Sequence, residues 1–114
     1  YGLPAPAGTG FQKVTLPGSA PRAGLLTQIG FLAADSTPVE TQPMLRGRAI
    51  LESFLCEVVP EPPPDLMATL PPLPAGKSMT KRERLARHRT DPFCASCHDA
   101  IDPPGLALEN YDAV

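Results

Sequence analysis

The stretch Cys94-Ala95-Ser96-Cys97-His98 places two thiols three positions apart, with an imidazole directly after the second. On a helix, residues i and i+3 face the same side, so both sulfurs can reach one flat ligand. The adjoining histidine can then reach the centre of that ligand. This spacing is the pattern by which a c-type haem is attached. It predicts one covalent haem c, bound through Cys94 and Cys97, with His98 as the proximal iron ligand.

Three other interpretations of the two thiols stay open at this point. A redox dithiol of this spacing belongs to a βαβ unit, which the sequence does not indicate. A zinc site needs further ligands, and the candidates, Cys56 and His88, stand at unsuitable spacing. The third alternative is a short structural disulfide. Only the haem interpretation also accounts for the histidine that follows the second thiol.

Length and composition restrict the fold and the partners. The chain has 114 residues, sixteen prolines, no tryptophan and a formal net charge of −2. Such a chain forms at most one domain with a small core, to which a porphyrin would add apolar mass. The weak negative charge argues against nucleic acid as a main partner, and no apolar run is long enough to predict a membrane span. We expect a mainly α fold, a small haem c domain of three to five short helices with long Pro-rich irregular segments.

The first half of the chain contains one clear helix signal. Residues 1–22 are rich in Gly, Pro and Ala and predict an irregular lead-in, whereas residues 24–34 are apolar and predict core. Pro43 predicts the first turn of a helix that runs to about Cys56, where this third cysteine is expected to be buried. Its apolar residues recur at helical spacing and predict one buried stripe: Leu51, Phe54, Leu55 and Val58.

The second half combines a Pro-rich strap, residues 58–76, with a haem-attachment unit, residues 80–114. The strap predicts polyproline II structure, and it is a plain spacer, a belt over the haem, or a docking motif for a Pro-binding partner domain. Thr80 with Glu83 forms a capping box that predicts a basic helix to about residue 89. Asp91 and Pro92 then predict a second helix start, which puts the C-x-x-C-H stretch on that helix. The run 103–105, Pro-Pro-Gly, predicts a turn after it.

Further residues are candidates for contact with the haem. The second axial ligand is expected from Met67 or Met44, with Met79 and His88 as weaker alternatives, or from another molecule, or the position is open. Arg46, His88 and Arg89 are candidates for the haem propionates, and Leu106 for packing against the porphyrin. A backbone carbonyl near Pro103 or Pro104 is expected to accept the free N–H of His98.

Four strings in this order resemble the cytochrome-like domains of unknown function in large secreted proteins of planctomycetes, myxobacteria and their relatives. They are residues 22–28, 43–47, 88–98 and 101–112, and the last is the most specific. The resemblance implies haem attachment at Cys94, Cys97 and His98. It also implies that the chain is a piece of a longer protein, and it says little about biochemical purpose.

The function expected from these patterns is single-electron transfer within a larger secreted or periplasmic bacterial protein or complex. The expected partners are other domains of a parent chain or other subunits, together with a redox partner that carries another haem. Two alternatives stay open. In the first, the chain is the haem-bearing part of a peroxidase- or oxygenase-type enzyme. In the second, it is a structural module that joins domains or subunits.

Overall fold

The computed structural model describes residues 1, 3–20, 22, 24–38, 40–66, 75–76 and 78–111. Within these ranges the chain forms four α-helices and two 3-10 turns, and no strand. The helices are α1 (Ile29–Ala33), α2 (Pro43–Phe54), α3 (Lys81–His88) and α4 (Pro92–Leu106), and the turns are Leu25–Thr27 and Glu109–Tyr111. The prediction of a mainly α fold with three to five short helices is confirmed. None of the described helices combines the length and apolarity that a membrane crossing requires.

Helix α2 begins at Pro43, as the sequence predicts. Proline is tolerated there because the first N–H groups of a helix have no intrahelical partner. Past the end of the helix, Cys56 has a left-handed φ of 56°, and the Glu57 N–H donates to the Leu51 carbonyl at 3.0 Å. The Leu51 carbonyl also accepts from the Leu55 N–H at 3.2 Å, so the bond from Glu57 is a second one that closes the end of the helix. The prediction that Cys56 is buried is wrong, because the turn leaves it exposed.

Two glycines bring α2 and α4 into close contact. A Cβ built on Gly47 would lie 1.8 Å from the carbonyl oxygen of Ile101 in α4. A Cβ built on Gly105 would lie 1.8 Å from the carbonyl oxygen of Pro43 in α2. Only residues without a side chain allow two backbones to approach so closely. The contact therefore depends on glycine at both positions.

The glycine contact between α2 and α4 determines which part of α2 is buried. The buried residues of the helix are Pro43, Arg46, Gly47, Ile50 and Leu51. The predicted stripe is correct for Leu51 and wrong for its other members, because Phe54, Leu55 and Val58 are 43%, 57% and 92% exposed. The predicted and the buried residues follow one helical face, but the glycine contact lies near the start of α2, whereas Phe54 is its last residue and Leu55 and Val58 lie beyond its end.

The apolar segment before α2 contributes less to the core than its composition predicts. Leu32 is buried, whereas Leu25 and Ile29 are about half exposed. The prediction that the whole segment is core is therefore wrong. The ring of Phe31 lies edge-to-face on that of Phe54 at the surface, with a centroid distance of 5.8 Å. A 3-10 turn and a five-residue helix direct Leu32 inward and leave Leu26 and Phe31 partly exposed.

Helix α3 begins with the predicted capping box. The Thr80 hydroxyl accepts from the Glu83 N–H, and the Glu83 carboxylate accepts from the Thr80 N–H at 2.7 Å. This hydrogen bond to the backbone amide holds the pKa of Glu83 below its ordinary value. Leu85 is the fully buried residue of this helix, and the Arg82 guanidinium donates to the Leu106 carbonyl at 2.9 Å. Helix α3 is thus attached to the end of α4.

Helix α4 begins as predicted but continues through the prolines. Asp91 caps it, accepting from the N–H groups of Phe93 at 2.8 Å and Cys94 at 3.4 Å. The prediction that residues 103–105 form a turn is wrong, because the helix includes Pro103 and Pro104 and ends at Leu106. Prolines inside a helix remove backbone hydrogen bonds and disfavour it locally. The close contact of Gly105 with α2 accounts for the helix persisting here.

Candidate functional site

Cys94, Cys97 and His98 lie on one stretch of α4 and line a single cavity. The capped start of α4 precedes Cys94, so the three side chains project from a well-defined helical turn. All three are partly exposed, and the two thiols are not joined to each other. The structure thus brings the three residues of the motif to one wall of one site.

The cavity has a volume of about 450 Å³, and most of its lining residues are apolar. Small-molecule sites typically measure about 300–1,000 Å³ and combine apolar walls with a few polar groups. One wall is α4, including Ile101 beside the motif, and a second is the start of α2, with Met44, Leu45 and Arg48. The site therefore lies between two helices held together by the glycine contact.

The third wall is the described part of the Pro-rich strap. Its lining residues are Val59, Pro60, Pro62, Pro63 and Leu66. Arg48 attaches this segment to α2, because its guanidinium binds both Glu61 and Glu52. The hydrogen bond from Arg48 holds the pKa of Glu61 below its ordinary value. Since these charges are exposed, water screens the attraction, and it contributes little to stability.

His98 has a buried hydrogen-bond partner that lies one turn further along α4. Its Nδ1 is 2.9 Å from Oδ1 of Asp102, whose side chain is fully buried. The backbone carbonyl predicted near Pro103 or Pro104 is therefore replaced by a carboxylate. Arg89 lies behind this pair, with its Nε 3.8 Å from Asp102 Oδ2 and a terminal nitrogen 3.6 Å from Asp99. It is not among the residues that line the cavity.

His88 does line the cavity, next to His98. The two imidazoles meet edge-to-face, with ring centroids 4.8 Å apart and an interplanar angle of 79°. His88 is the last residue of α3, so the capping box of α3 and the Asp91 cap of α4 both contribute to placing this pair. A role for His88 beside a bound ligand stays a prediction.

Arg46 and Leu106 lie away from the cavity. The Arg46 guanidinium is 3% exposed and donates to the Glu109 carboxylate at 2.9 Å. The same carboxylate accepts from the Thr41 hydroxyl at 3.0 Å. Leu106 is buried where α3 meets the end of α4. Both residues join parts of the fold, and neither lines the cavity.

The candidate sulfur ligands have different positions. Met44 lines the cavity from the α2 wall. Met79 is not a lining residue, and its sulfur lies 3.6 Å from a guanidinium nitrogen of Arg87. The other predicted candidate, Met67, lies outside the described residues. Among the described part of the chain, no three His, Cys, Asp or Glu side chains converge as a ligand set for a metal ion.

Residues 22–114 match the family described as PSCyt3, a protein of unknown function (DUF1588). The chain belongs to this family. The family match covers the helices and all lining residues of the cavity. It agrees with the expected domain of unknown function and assigns no chemistry. No curated protein and no solved structure was found to match the chain.

Two residues of the site were absent from the sequence predictions. Asp102 stands four positions after His98, a spacing that puts two side chains on the same face of a helix. That signal was available, but the turn predicted at residues 103–105 concealed it. Arg48 pairs with Glu52 one turn further along α2, and it also lines the cavity and binds the strap. No local pattern indicates this second role.

Proposed function

We propose that this chain is a c-type cytochrome domain that holds one covalent haem and transfers single electrons within a larger secreted or periplasmic protein or complex. The observation that carries the proposal is the common position of Cys94, Cys97 and His98 on one wall of an apolar cavity. C-type haem attachment takes place outside the cytoplasm, which is the basis for the proposed location. The proposed partners are other domains or subunits and a second one-electron carrier.

The residues of the cavity suit a haem in their chemistry. Cys94 and Cys97 would hold it through thioether bonds, and His98 would bind its iron. Apolar side chains of α2, α4 and the strap would cover the porphyrin, and Arg48 supplies a positive charge on the lining. When bound, haem supplies an iron that changes by one electron between its ferric and ferrous states. The chain's own contribution is to attach, orient and shield it.

A second axial ligand would favour electron transfer over ligand chemistry. Met44 is the methionine that lines the cavity among the described residues, on the wall formed by α2. We include Met44 in the proposal as the candidate ligand, with Met67 and an external ligand as its alternatives. An iron without such a ligand would instead support the enzyme alternative, a peroxidase- or oxygenase-type domain.

The proposal is tested by producing the chain in a host that attaches c-type haem. We expect one haem per chain by pyridine haemochrome assay and a matching increase in the mass of the denatured chain. Replacing both cysteines of the motif, as in Cys94→Ser with Cys97→Ser, should abolish the mass increase. Cys56→Ser is the matched control, since this thiol is exposed and does not line the cavity, and it should retain the haem.

The outcomes separate the candidate functions. A colourless chain with both thiols free, bridged or bound to zinc contradicts the cytochrome proposal. A covalent haem that is low-spin in both oxidation states supports electron transfer. A high-spin ferric haem that responds to cyanide or peroxide favours the enzyme alternative. If the double cysteine variant folds as stably as the unchanged chain, a structural module without haem gains support.

A further inference from the structure

The buried carboxylate of Asp102 lies directly behind the imidazole of His98. Oδ1 is 2.9 Å from His98 Nδ1, and the Asp102 side chain has 0% exposure. A carboxylate without contact to water is unfavourable unless its partners compensate. The effect of this carboxylate on the groups around it therefore offers a structural reason for its burial.

The bond to Asp102 determines the tautomer of His98. An ionised carboxylate only accepts hydrogen bonds, so Nδ1 carries the hydrogen and donates it. The lone pair of Nε2 then stays free, and a neutral imidazole with a free nitrogen is the form that binds metal ions. In the opposite tautomer, the hydrogen would occupy Nε2, and Nδ1 would face the carboxylate without a hydrogen bond.

Oδ2, the second carboxylate oxygen of Asp102, has no partner as close as the one that Oδ1 has in His98, so His98 is the main partner of this side chain. Oδ2 is buried and accepts no hydrogen bond from the described residues. The nearest cation is Arg89, whose Nε lies 3.8 Å away and also forms no hydrogen bond in the part of the chain that is described. Arg89 thus offsets the negative charge in part, without competing for the oxygen that His98 uses.

We propose that Asp102 is a positioning residue that fixes His98 as an Nε2 donor and lowers the reduction potential of the haem. The inference rests on the proposed function, because it concerns the iron that His98 would bind. A carboxylate bonded to a ligating imidazole raises the basicity of that ligand. A more basic ligand, next to a buried negative charge, stabilises ferric iron relative to ferrous iron.

The chain provides a matched pair of variants for this test. Asp102→Asn keeps the shape of the side chain and removes its charge and its accepting oxygen. Asp99→Asn removes a carboxylate on the same helix, beside the same Arg89, that is 70% exposed and has no bond to His98. In a potentiometric titration of the haem-loaded chain, Asp102→Asn should increase the ratio of ferrous to ferric haem at a given potential at least tenfold. This corresponds to a reduction potential higher by about 59 mV. Asp99→Asn should change it less than threefold.

Equal shifts for the two variants, or a shift of Asp102→Asn toward ferric haem, would overturn the inference. A second measurement needs no substitution. Nitrogen-15 NMR of the unchanged chain produced without haem should show the hydrogen of His98 on Nδ1, because iron bound at Nε2 would exclude a hydrogen there whatever Asp102 does. Finding it on Nε2 overturns the inference even if Asp102→Asn fails to fold. A chain that takes up no haem contradicts the proposed function instead, while the NMR result still decides whether Asp102 fixes the tautomer.

Discussion

The glycine contact between α2 and α4 makes a strong prediction about stability. Replacing Gly47 by alanine would place a Cβ 1.8 Å from the carbonyl oxygen of Ile101 and 2.9 Å from its carbonyl carbon. An ordinary contact of this kind begins at 3.4 Å, so the two backbones must separate by roughly 1.6 Å. The obstacle is the backbone of α4, which cannot turn aside as the end of a flexible side chain does.

Two opposing effects determine the size of the change. Alanine in place of glycine inside a helix favours folding by about 1 kcal/mol. Overpacking a tight contact costs about 1–3 kcal/mol, and more where neither side can move. Separation of α2 from α4 also disturbs the buried Ile50 and Leu51 on the same face. We therefore expect Gly47→Ala to lower the free energy of unfolding by at least about 2 kcal/mol.

The assay is urea unfolding followed by circular dichroism, with the midpoint compared at an unchanged slope. Gly30→Ala is the control, because Gly30 lies in α1 and a Cβ there meets nothing within 4 Å. The control should be neutral or more stable by up to about 1 kcal/mol. If Gly47→Ala unfolds at the same urea concentration as the unchanged chain, or at a higher one, the glycine contact does not exist as described.

Two further predictions concern the iron and the pH dependence of folding. On the proposed ligation of a haem by His98 and Met44, Met44→Ala should make the ferric haem high-spin and remove the sulfur-to-iron charge-transfer band, whereas Met79→Ala should leave the spectrum unchanged, because Met79 does not line the cavity. An unchanged spectrum for Met44→Ala would exclude Met44 as the ligand. The Lys81 ammonium, bonded to Glu40 at 2.6 Å, holds the pKa of that carboxyl below its ordinary value of 4.5. Because the pKa of Glu40 is lowered by folding, its carboxylate stabilises the fold above pH 4.5, and this stabilisation is lost as acid protonates the group. Glu40→Gln should therefore lower the free energy of unfolding by under about 1 kcal/mol at pH 7 and leave it unchanged at pH 2. If Glu40→Gln lowers the free energy of unfolding in urea equally at both pH values, the stabilising role of the Glu40 carboxylate is contradicted.

The helix starts could be predicted from sequence because their chemistry is local. Thr80 with Glu83, and Asp91, satisfy N–H groups within three residues of themselves, whatever the remaining chain does. Pro43 and Pro92 act locally in another way, because proline has no N–H that needs a partner at the first helical position. These starts put the motif on a helix, and that part of the site followed from sequence.

The buried faces could not be predicted in the same way, because they depend on distant backbone. Hydrophobicity favoured Phe54, Leu55 and Val58, at and beyond the end of α2, whereas the structure buries the helix nearer its start, around Gly47. A glycine has no side chain to contribute to a hydrophobic pattern, yet it decides where along its length α2 can approach α4. The same contact overrides the local effect of Pro103 and Pro104, and once α4 continues, Asp102 comes within reach of His98.

The walls of the cavity are held by forces of different strength. The walls formed by α2 and α4 meet through buried backbone contacts, which give way only if the core is disturbed. The wall formed by residues 59–66 is attached through Arg48 and Glu61, which are exposed and screened by water. Regions with few buried contacts open at lower free energy than the core does. The side of the cavity that carries His98 is therefore the rigid one, and access for a flat ligand is easiest from the side of the strap.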